Sequence, residues 1–193
     1  QTDIEKILSS KTRLKTLIKN ELIEIKDEFG EERKSPIKEA TEAKVFSEEE
    51  TLVTEPITVV LSAAGWIRSA KGHEIDPSSL SYRGEDVLQD YGRGKSNQVS
   101  VFLDSNGKAY SLASHSLPSA RGMGDPITGR VSADSGVKFI SSLIGNDEDK
   151  FMIMNTAGYG YISEFKNMVS NKKSGKAFMK IPHEADLLKA IKV

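Results

Sequence analysis

The chain has 193 residues, of which 37% are apolar, and it contains no cysteine. This composition is sufficient for a buried core and excludes disulfide frameworks, thiolate metal sites and catalytic thiols. The lack of cysteine fits a reducing cytoplasm, and no apolar run approaches the roughly 20 residues that cross a bilayer. We therefore expect a cytoplasmic protein without a membrane span. The polar start resembles no signal peptide, so secretion is not indicated. Because the sequence lacks an initiator methionine, we expect a fragment of a longer protein.

The charge is unevenly distributed, although the net charge is only −1. Residues 1–55 contain 14 acidic and 10 basic side chains, whereas residues 56–193 contain 14 acidic and 17 basic ones. The C-terminal part is therefore mildly basic. Such a surplus is compatible with a nucleic-acid partner, but many proteins that bind no nucleic acid share it.

The N-terminal segment has apolar residues at helical spacing between Ile4 and Phe29. This period predicts amphipathic helices. Ser9 and Ser10 interrupt the pattern and predict the cap of a second helix, which begins near Lys11 and ends at Gly30. Two interpretations stay open: a surface helix packed on its own domain, or the end of a longer coiled element.

An acidic stretch interrupted by proline follows the helices. Proline and clustered like charges disfavour regular structure, so we predict that residues 34–55 form a linker after a helical tail at residues 1–33. One edge strand is predicted within this linker, at residues 43–46.

From residue 56 onward, short β-branched and aromatic runs alternate with glycine, which is typical of β-structure. Three stretches align with one another: "VVLSAAGWIRS" from Val59, "VFLDSNGKAYS" from Val101 and "MIMNTAGYGYIS" from Met152. Each has a polar residue at the start of a turn and a glycine three residues later; these pairs are Ser62 and Gly65, Asp104 and Gly107, and Asn155 and Gly158. A tight hairpin needs a residue with positive φ, and a polar side chain before it can bond the turn backbone. The sequence therefore predicts a repeated hairpin.

The hairpin glycines are 42 and 51 residues apart, close to the length of a four-stranded propeller blade. A basic residue beside a glycine follows 14 to 19 residues after each hairpin glycine. We predict a mainly β fold of propeller-like four-stranded blades, at residues 56–98, 99–148 and 149–193, preceded by the helical segment. Three blades do not usually close a ring, so we expect the domain to be truncated.

Several short motifs are excluded as chemical sites. The stretch "GRGKS", Gly92–Ser96, lacks the first glycine of a phosphate-binding loop and precedes a strand rather than a helix. "GMGDPITG" lacks the glycine spacing of a dinucleotide fingerprint. The histidines, His73, His115 and His183, have no metal-ligand spacing. We therefore predict neither an active site nor a metal site in this chain.

Basic residues at predicted loop and strand ends form the candidate site. The predicted DNA-binding residues are Arg68, Lys71, Arg83, Arg93, Lys95, Lys108, Arg121, Arg130, Lys172, Lys173 and Lys176, and the same set includes Lys180. Lysine and arginine neutralise phosphates, and nearby glycine lets backbone N–H groups approach them. The residues alone leave two interpretations open: a sequence-tolerant DNA surface, or charges that keep a β-rich surface soluble.

The chain resembles the A subunits of bacterial type IIA topoisomerases. The stretch "ILSSKTRLKTLIKNELIEIKDEFGEERKSPI", at residues 7–37, resembles the end of their breakage-reunion region, including the signature at residues 29–34. The stretches "GWIRSAKGH", "GRGKSNQ" and "LPSARGMGDPITG" resemble the topoisomerase IV branch in particular. The resemblance covers essentially the whole chain.

The resemblance implies a C-terminal β-pinwheel that binds and bends double-stranded DNA. In the complete enzyme, a homodimer of A subunits joins the B subunits in an A2B2 complex that passes one duplex through another, using ATP and Mg²⁺ bound elsewhere. It also implies a cytoplasmic location on the chromosome and roles in decatenation and chromosome segregation. The family's nucleophile is a tyrosine directly after an arginine, and this chain has no Arg-Tyr pair. The fragment alone is therefore expected to be non-catalytic and to hold no cofactor.

One departure separates the two branches of the family. Gyrase A subunits carry a Gln-Arg-Arg-Gly-Gly-Arg-Gly box, whereas the nearest stretches here, "YGRGKSN" and "SARGMG", match it only in part. The resemblance therefore favours topoisomerase IV over gyrase, and with it decatenation and relaxation rather than full wrapping of DNA. A protein-interaction scaffold without a DNA role is the alternative of a different class.

Overall fold

The computed structural model describes residues 2–31, 34–35 and 53–193. The chain divides into two compact units, Gln1–Val45 and Phe46–Val193. The edge strand predicted at residues 43–46 and most of the predicted linker lie outside the described residues.

The first unit contains the predicted helix pair. Helix α1 comprises Thr2–Leu8 and helix α2 comprises Lys11–Phe29. Ser10 occupies the N-cap position as predicted, but its side chain makes no capping hydrogen bond. Gly30 follows α2 with φ of −67°, so a left-handed conformation is not the reason for a glycine at this helix end. Glycine is needed there because a Cβ atom would overlap the carbonyl oxygen of Lys26.

The amphipathic pattern of α2 is present and faces solvent. None of the residues in α2 is buried. Its apolar side chains are between 37% and 70% exposed; among them are Leu14, Leu17, Ile18, Leu22, Ile25 and Phe29.

The second unit is built from short antiparallel strands. In chain order they are β1 (Pro56–Ser62), β2 (Trp66–Lys71), β3 (Leu88–Lys95), β4 (Val99–Asp104), β5 (Lys108–Ala113), β6 (Asp125–Pro126), β7 (Phe139–Ile144), β8 (Lys150–Met154), β9 (Gly160–Glu164), β10 (Lys176–Ala177) and β11 (Ile191–Lys192). Single 3₁₀ turns follow β2, β5, β6 and β9.

These strands form three sheets, in the orders β3-β1-β2-β6, β10-β5-β4-β7 and β11-β8-β9. Each sheet is centred on one of the predicted hairpins: β1 with β2, β4 with β5 and β8 with β9. In each sheet, a later strand pairs with the other edge of the first hairpin strand: β3 with β1, β7 with β4 and β11 with β8. The repeated hairpin is therefore the unit around which the second unit of the chain is built.

The outermost strand of the first two sheets comes from the following repeat. Strand β6 pairs with β2 of the first sheet, and β10 pairs with β5 of the second. The predicted blade limits at residues 98 and 148 stay a prediction. The β2–β6 pairing joins residues on the two sides of the first limit, and the β5–β10 pairing does so at the second. A two-residue strand has no periodicity of its own, which is why the sequence did not indicate these pairings. We call β6 and β10 the exchanged strands, because each pairs with the hairpin of the preceding repeat.

The three hairpin turns have the geometry that the sequence predicts. The φ angles of the turn glycines are 81°, 77° and 85° at Gly65, Gly107 and Gly158. The buried residue that opens each turn bonds the turn backbone: Ser62 Oγ accepts from the N–H of Trp66 at 3.0 Å, Asp104 Oδ1 from Asn106 and Lys108 at 3.0 and 2.8 Å, and Asn155 Oδ1 from Ala157 and Tyr159 at 3.1 and 3.2 Å. The prediction of the turns is confirmed.

Two apolar clusters hold the sheets together. The first joins side chains of β1 and β2 to Phe102, Tyr110 and Phe139 of the second sheet. The second joins side chains of β4 and β7 to Phe151 and Phe165 of the third repeat. Each fully buried side chain of this size contributes about 1.5–3 kcal/mol. The sheets are therefore joined face to face through side chains from neighbouring repeats.

Strand β3 approaches β7 closely because two of its residues lack side chains. A Cβ atom on Gly92 or Gly94 would come within 2.9 or 2.6 Å of the Ile144 side chain. The alternate residues of this strand, Arg93 and Lys95, are exposed. Close packing on one face of β3 thus presents two basic side chains on the other.

Candidate nucleic-acid interface

Three of the predicted basic residues form ion pairs with carboxylates. The pairs are Lys71 with Glu55 at 2.9 Å, Lys108 with Asp134 at 2.7 Å and Arg130 with Asp125 at 2.7 Å. The hydrogen bond from Lys108 lowers the pKa of Asp134, and the same contact raises the pKa of Lys108. Since a paired carboxylate would compete with a phosphate, these bases are less available to a polyanion than unpaired ones.

Besides Arg68, which is described below, two of the predicted bases bind the backbone of the second unit. Lys176 Nζ donates to the carbonyl of Asn167 at 2.8 Å, and Arg130 donates to the carbonyl of Ser116 at 3.0 Å. Lys176 lies in β10 and contacts the 3₁₀ turn after β9. Arg130 directly follows the 3₁₀ turn after β6 and contacts the 3₁₀ turn after β5. These side chains therefore have a local structural contact in addition to their charge.

The remaining exposed bases have no carboxylate within 4 Å among the described residues. They are Arg83, Arg93, Lys95, Arg121, Lys172, Lys173 and Lys180. An exposed, unpaired cation keeps its hydration until a ligand arrives, and can exchange it for a phosphate without breaking an ion pair. This subset is the most accessible part of the predicted site.

Two members of this subset occupy equivalent positions in their repeats. Arg121 and Lys172 follow the hairpin glycines Gly107 and Gly158 by the same 14 residues. Each lies after a 3₁₀ turn and before the exchanged strand. In both repeats, a loop with an exposed base therefore leads into the strand that pairs with the second strand of the preceding hairpin. Arg83 differs, because the connection between β2 and β3 contains no exchanged strand.

Aromatic rings lie under two of the exposed arginines. The guanidinium of Arg83 lies 5.2 Å from the ring centre of Trp66, and that of Arg93 lies 5.3 Å from Tyr91. Such cation–π contacts restrain the arginine while leaving its N–H groups exposed. The sequence reasoning missed both rings. For Tyr91 a signal was available, since two residues along a strand share a face.

Arg68 has an environment unlike that of the other predicted bases. It is 4% exposed, and its two terminal nitrogens donate to the carbonyls of Gly122 at 3.0 Å and Ser81 at 2.8 Å. Its guanidinium also lies 4.7 Å from the ring centre of Tyr82. A direct contact of Arg68 with DNA stays a prediction.

A cleft of about 840 Å³ brings Lys71 and Arg121 together. His115 and the hydroxyl-bearing residues Ser96 and Ser119 also line it. The sequence indicated no ligand partner for His115; in the fold it lines the same cleft as two predicted bases. No group of three or more possible metal ligands occurs in residues 2–31, 34–35 and 53–193, and no helix of that part is long and apolar enough to span a membrane.

Comparison with known proteins gives consistent results across sequence and structure. The chain is similar to the A subunit of DNA topoisomerase 4 from Pseudomonas aeruginosa, with 43% identity over 95% of this chain and 24% of the relative. The corresponding proteins of Haemophilus influenzae and Escherichia coli K12 are 42% and 39% identical over 97% of this chain, and 25% and 26% of their own length. No protein-family model matches the chain.

The solved structures agree in fold. The E. coli ParC C-terminal domain is 40% identical, with a TM-score of 0.67 over 72% of this chain and 57% of that domain. The chain is homologous to one part of the A subunit of DNA topoisomerase IV. A further C-terminal domain of DNA topoisomerase IV has a TM-score of 0.59 over 74% of this chain and 47% of that domain, at 13% identity, and supports the fold alone.

The homology to topoisomerase IV confirms the predicted resemblance and fold class. The predicted class, a mainly β pinwheel of repeated sheets preceded by a helical segment, agrees with the ParC C-terminal domain. The chain spans about a quarter of the length of the curated topoisomerase IV relatives that it matches. The predicted domain limits and the individual DNA contacts stay predictions.

Proposed function

We propose that this chain is the DNA-binding and DNA-bending part of a topoisomerase IV A subunit, in which a helical tail and a linker precede a β-pinwheel that guides duplex DNA. The observation that carries the proposal is the placement of unpaired bases at equivalent loops of successive repeats. Arg121 and Lys172 are exposed and lie beside the exchanged strands of consecutive sheets. Bases repeated along adjacent sheets suit a phosphate backbone that follows the domain surface.

The proposal extends to the complete enzyme. There the A subunit would form a homodimer and join the B subunits in an A2B2 complex on the bacterial chromosome, in the cytoplasm. The complex would use ATP and Mg²⁺, bound outside this chain, for strand passage that separates linked chromosomes and relaxes supercoils. Since the tyrosine nucleophile of the family is not matched here, this chain would bind and orient DNA without cleaving it.

The test is fluorescence anisotropy of a labelled duplex of about 40 base pairs, titrated with the 193-residue chain across a range of salt concentrations. We expect log affinity to fall linearly with log salt and to survive scrambling of the DNA sequence. The slope counts the neutralised phosphates, at about 0.9 per phosphate.

A charge reversal distinguishes this surface from general electrostatics. Arg121→Glu should weaken binding and reduce the slope, whereas Lys15→Glu, which changes the net charge equally on exposed helix α2, should leave both nearly unchanged. Absence of binding by the folded chain at low salt would contradict the proposal for this chain and favour a protein-interaction scaffold. Equal losses in the two variants would contradict the assignment of the surface.

A further inference from the structure

Arg68 is the only buried basic residue among residues 2–31, 34–35 and 53–193. A buried guanidinium is costly unless its donors are satisfied. Its partners here are two backbone carbonyls, of Ser81 and Gly122, and the face of the Tyr82 ring. No carboxylate lies within 4 Å of it in that part of the chain. The terminal nitrogens of Arg68 therefore bond backbone carbonyls rather than a carboxylate.

The two carbonyls belong to different loops, and each loop carries an exposed base. Arg83 lies two residues after Ser81, and Arg121 directly precedes Gly122. Because the two terminal nitrogens of one guanidinium bind both carbonyls, the loops meet at Arg68. The planar fork of arginine can bridge two acceptors in this way, whereas the single ammonium of lysine lacks that fixed geometry.

The loop around Arg121 is held on β2 at several points. The N–H of Ala120 donates to the carbonyl of Ser69 at 2.8 Å. Gly124, with φ of 89°, lies so close that a Cβ atom would overlap the carbonyl oxygen of Ile67. Arg68 lies between these two residues of β2, and its contact with Gly122 fixes the middle of the loop.

The hairpin fold itself does not require arginine at this position. The residue three places after the hairpin glycine is Arg68 in the first repeat, but Tyr110 and Tyr161 in the second and third. Tyr110 is fully buried without any charge. The hairpin shape therefore tolerates an uncharged tyrosine here, whereas the two terminal nitrogens of Arg68 bind two carbonyls at once.

We propose that Arg68 is a positioning residue of the DNA interface. It holds the Ser81–Arg83 and Ala120–Gly122 loops together so that Arg83 and Arg121 bind phosphates as a pair, while its own guanidinium contacts no DNA. This inference rests on the proposed DNA-binding function.

The test is the salt-dependent anisotropy assay with Arg68→Lys, which keeps the charge and the aliphatic stem. We expect affinity to fall about tenfold and the salt slope to decrease by about 1.8, the value for two lost phosphates rather than one. In a double-mutant cycle, Arg121→Ala should cost affinity in the native chain but less than about twofold in the Arg68→Lys background. Native affinity and slope in Arg68→Lys would overturn the proposal, as would additive effects in the cycle.

Two further measurements separate positioning from loss of stability and from failure of DNA binding itself. Ile153→Val, in the core of the third sheet, serves as a control of reduced stability and should keep the native salt slope. Without DNA, emission of the single tryptophan, Trp66, reports the loop because Arg83 lies over its ring. Emission should shift in Arg68→Lys, and unchanged emission would overturn the proposal even if the chain bound no DNA.

A second variant keeps the test decisive if Arg68→Lys does not fold. Tyr82→Leu removes the ring beneath the guanidinium and leaves both carbonyl acceptors. A reduced slope in this variant supports the positioning role. A native slope and native affinity would contradict it.

Discussion

The three hairpins and the segments that follow them differ in how they use polar residues. In the hairpins, the polar residue that opens each turn is buried and accepts hydrogen bonds from the turn backbone, as Asp104 does. The segments after the second and third hairpins instead carry exposed bases at equivalent positions, Arg121 and Lys172. The polar residues of the hairpins therefore stabilise the fold, and in our proposal the following segments provide the charge that binds DNA.

Two kinds of repeat thus coexist in the sequence, one of turns and one of exposed bases. The hairpin repeats because each sheet needs the same tight turn. The basic loop lies at equal distance from two hairpin glycines and precedes an exchanged strand in both repeats. Changes in the two regions should thus have separable effects on stability and on DNA binding.

The largest expected effect is on stability and comes from Gly107→Ala. Its φ of 77° disfavours alanine by about 1–2 kcal/mol, and the new Cβ atom would also overlap the carbonyl of Met179 on the exchanged segment. We expect a loss of about 3 kcal/mol in the free energy of unfolding, measured by urea denaturation. The matched control is Gly158→Ala, at φ of 85° with no atom within 4 Å, which should lose only the conformational part. Equal losses would show that the exchanged segment does not pack on this turn.

A second large effect is expected from Asp104→Ala. The side chain accepts hydrogen bonds from the N–H groups of Asn106 and Lys108 and from the hydroxyl of Tyr110. Leaving the buried Tyr110 hydroxyl and the two part-buried N–H groups without this partner should cost about 2 kcal/mol. Urea denaturation measures the loss, and the salt slope of DNA binding in the folded fraction should stay native. A changed slope at unchanged stability would mean that the turn itself contacts DNA.

The reverse pattern is expected for Lys172→Ala. This exposed base should contribute one phosphate contact, so the salt slope should fall by about 0.9 and affinity by several-fold. The free energy of unfolding should change by less than about 0.5 kcal/mol. Lys108→Ala is the control, because Lys108 is paired with Asp134 and should contribute less to binding. If the two variants lost equal affinity, the distinction between paired and unpaired bases would be wrong.

The smallest effect concerns pH and Asp90. Burial is the main cause that raises the pKa of this carboxyl, although Oδ2 accepts the N–H of Ser142 on β7 at 2.9 Å. Because the folded pKa lies above the unfolded value, the folded state binds more protons between the two, and stability falls as pH rises through that window. Asp90→Asn should therefore be more stable than the native chain at neutral pH and lose this advantage below about pH 4. A constant difference across pH 3–7, measured by urea midpoints, would contradict the raised pKa.

Local features of the fold could be predicted from the sequence. Hairpins and helices depend on residues a few positions apart, such as the glycine three residues after Asn155, and periodicity reports such contacts directly. The exchanged strands were not predicted, because β6 and β10 have two residues each and their partners lie far away in the chain.

The candidate site was only partly predictable. Charge identified the basic residues, but their availability depends on distant partners, such as Asp134 for Lys108. Burial of Arg68 could not be read from the sequence, since the loops that cover it come from two different repeats. The stacking of Arg93 on Tyr91 was within reach, because both lie on one face of β3.

The most direct test of the account is hydrogen–deuterium exchange of the chain with and without a 40-base-pair duplex. We predict that DNA slows exchange in residues 118–124 and 169–175, the loops that carry Arg121 and Lys172, and leaves the three hairpin turns unchanged. Protection centred on the turns, or spread evenly over all three sheets, would contradict the division between hairpins that stabilise and segments that bind.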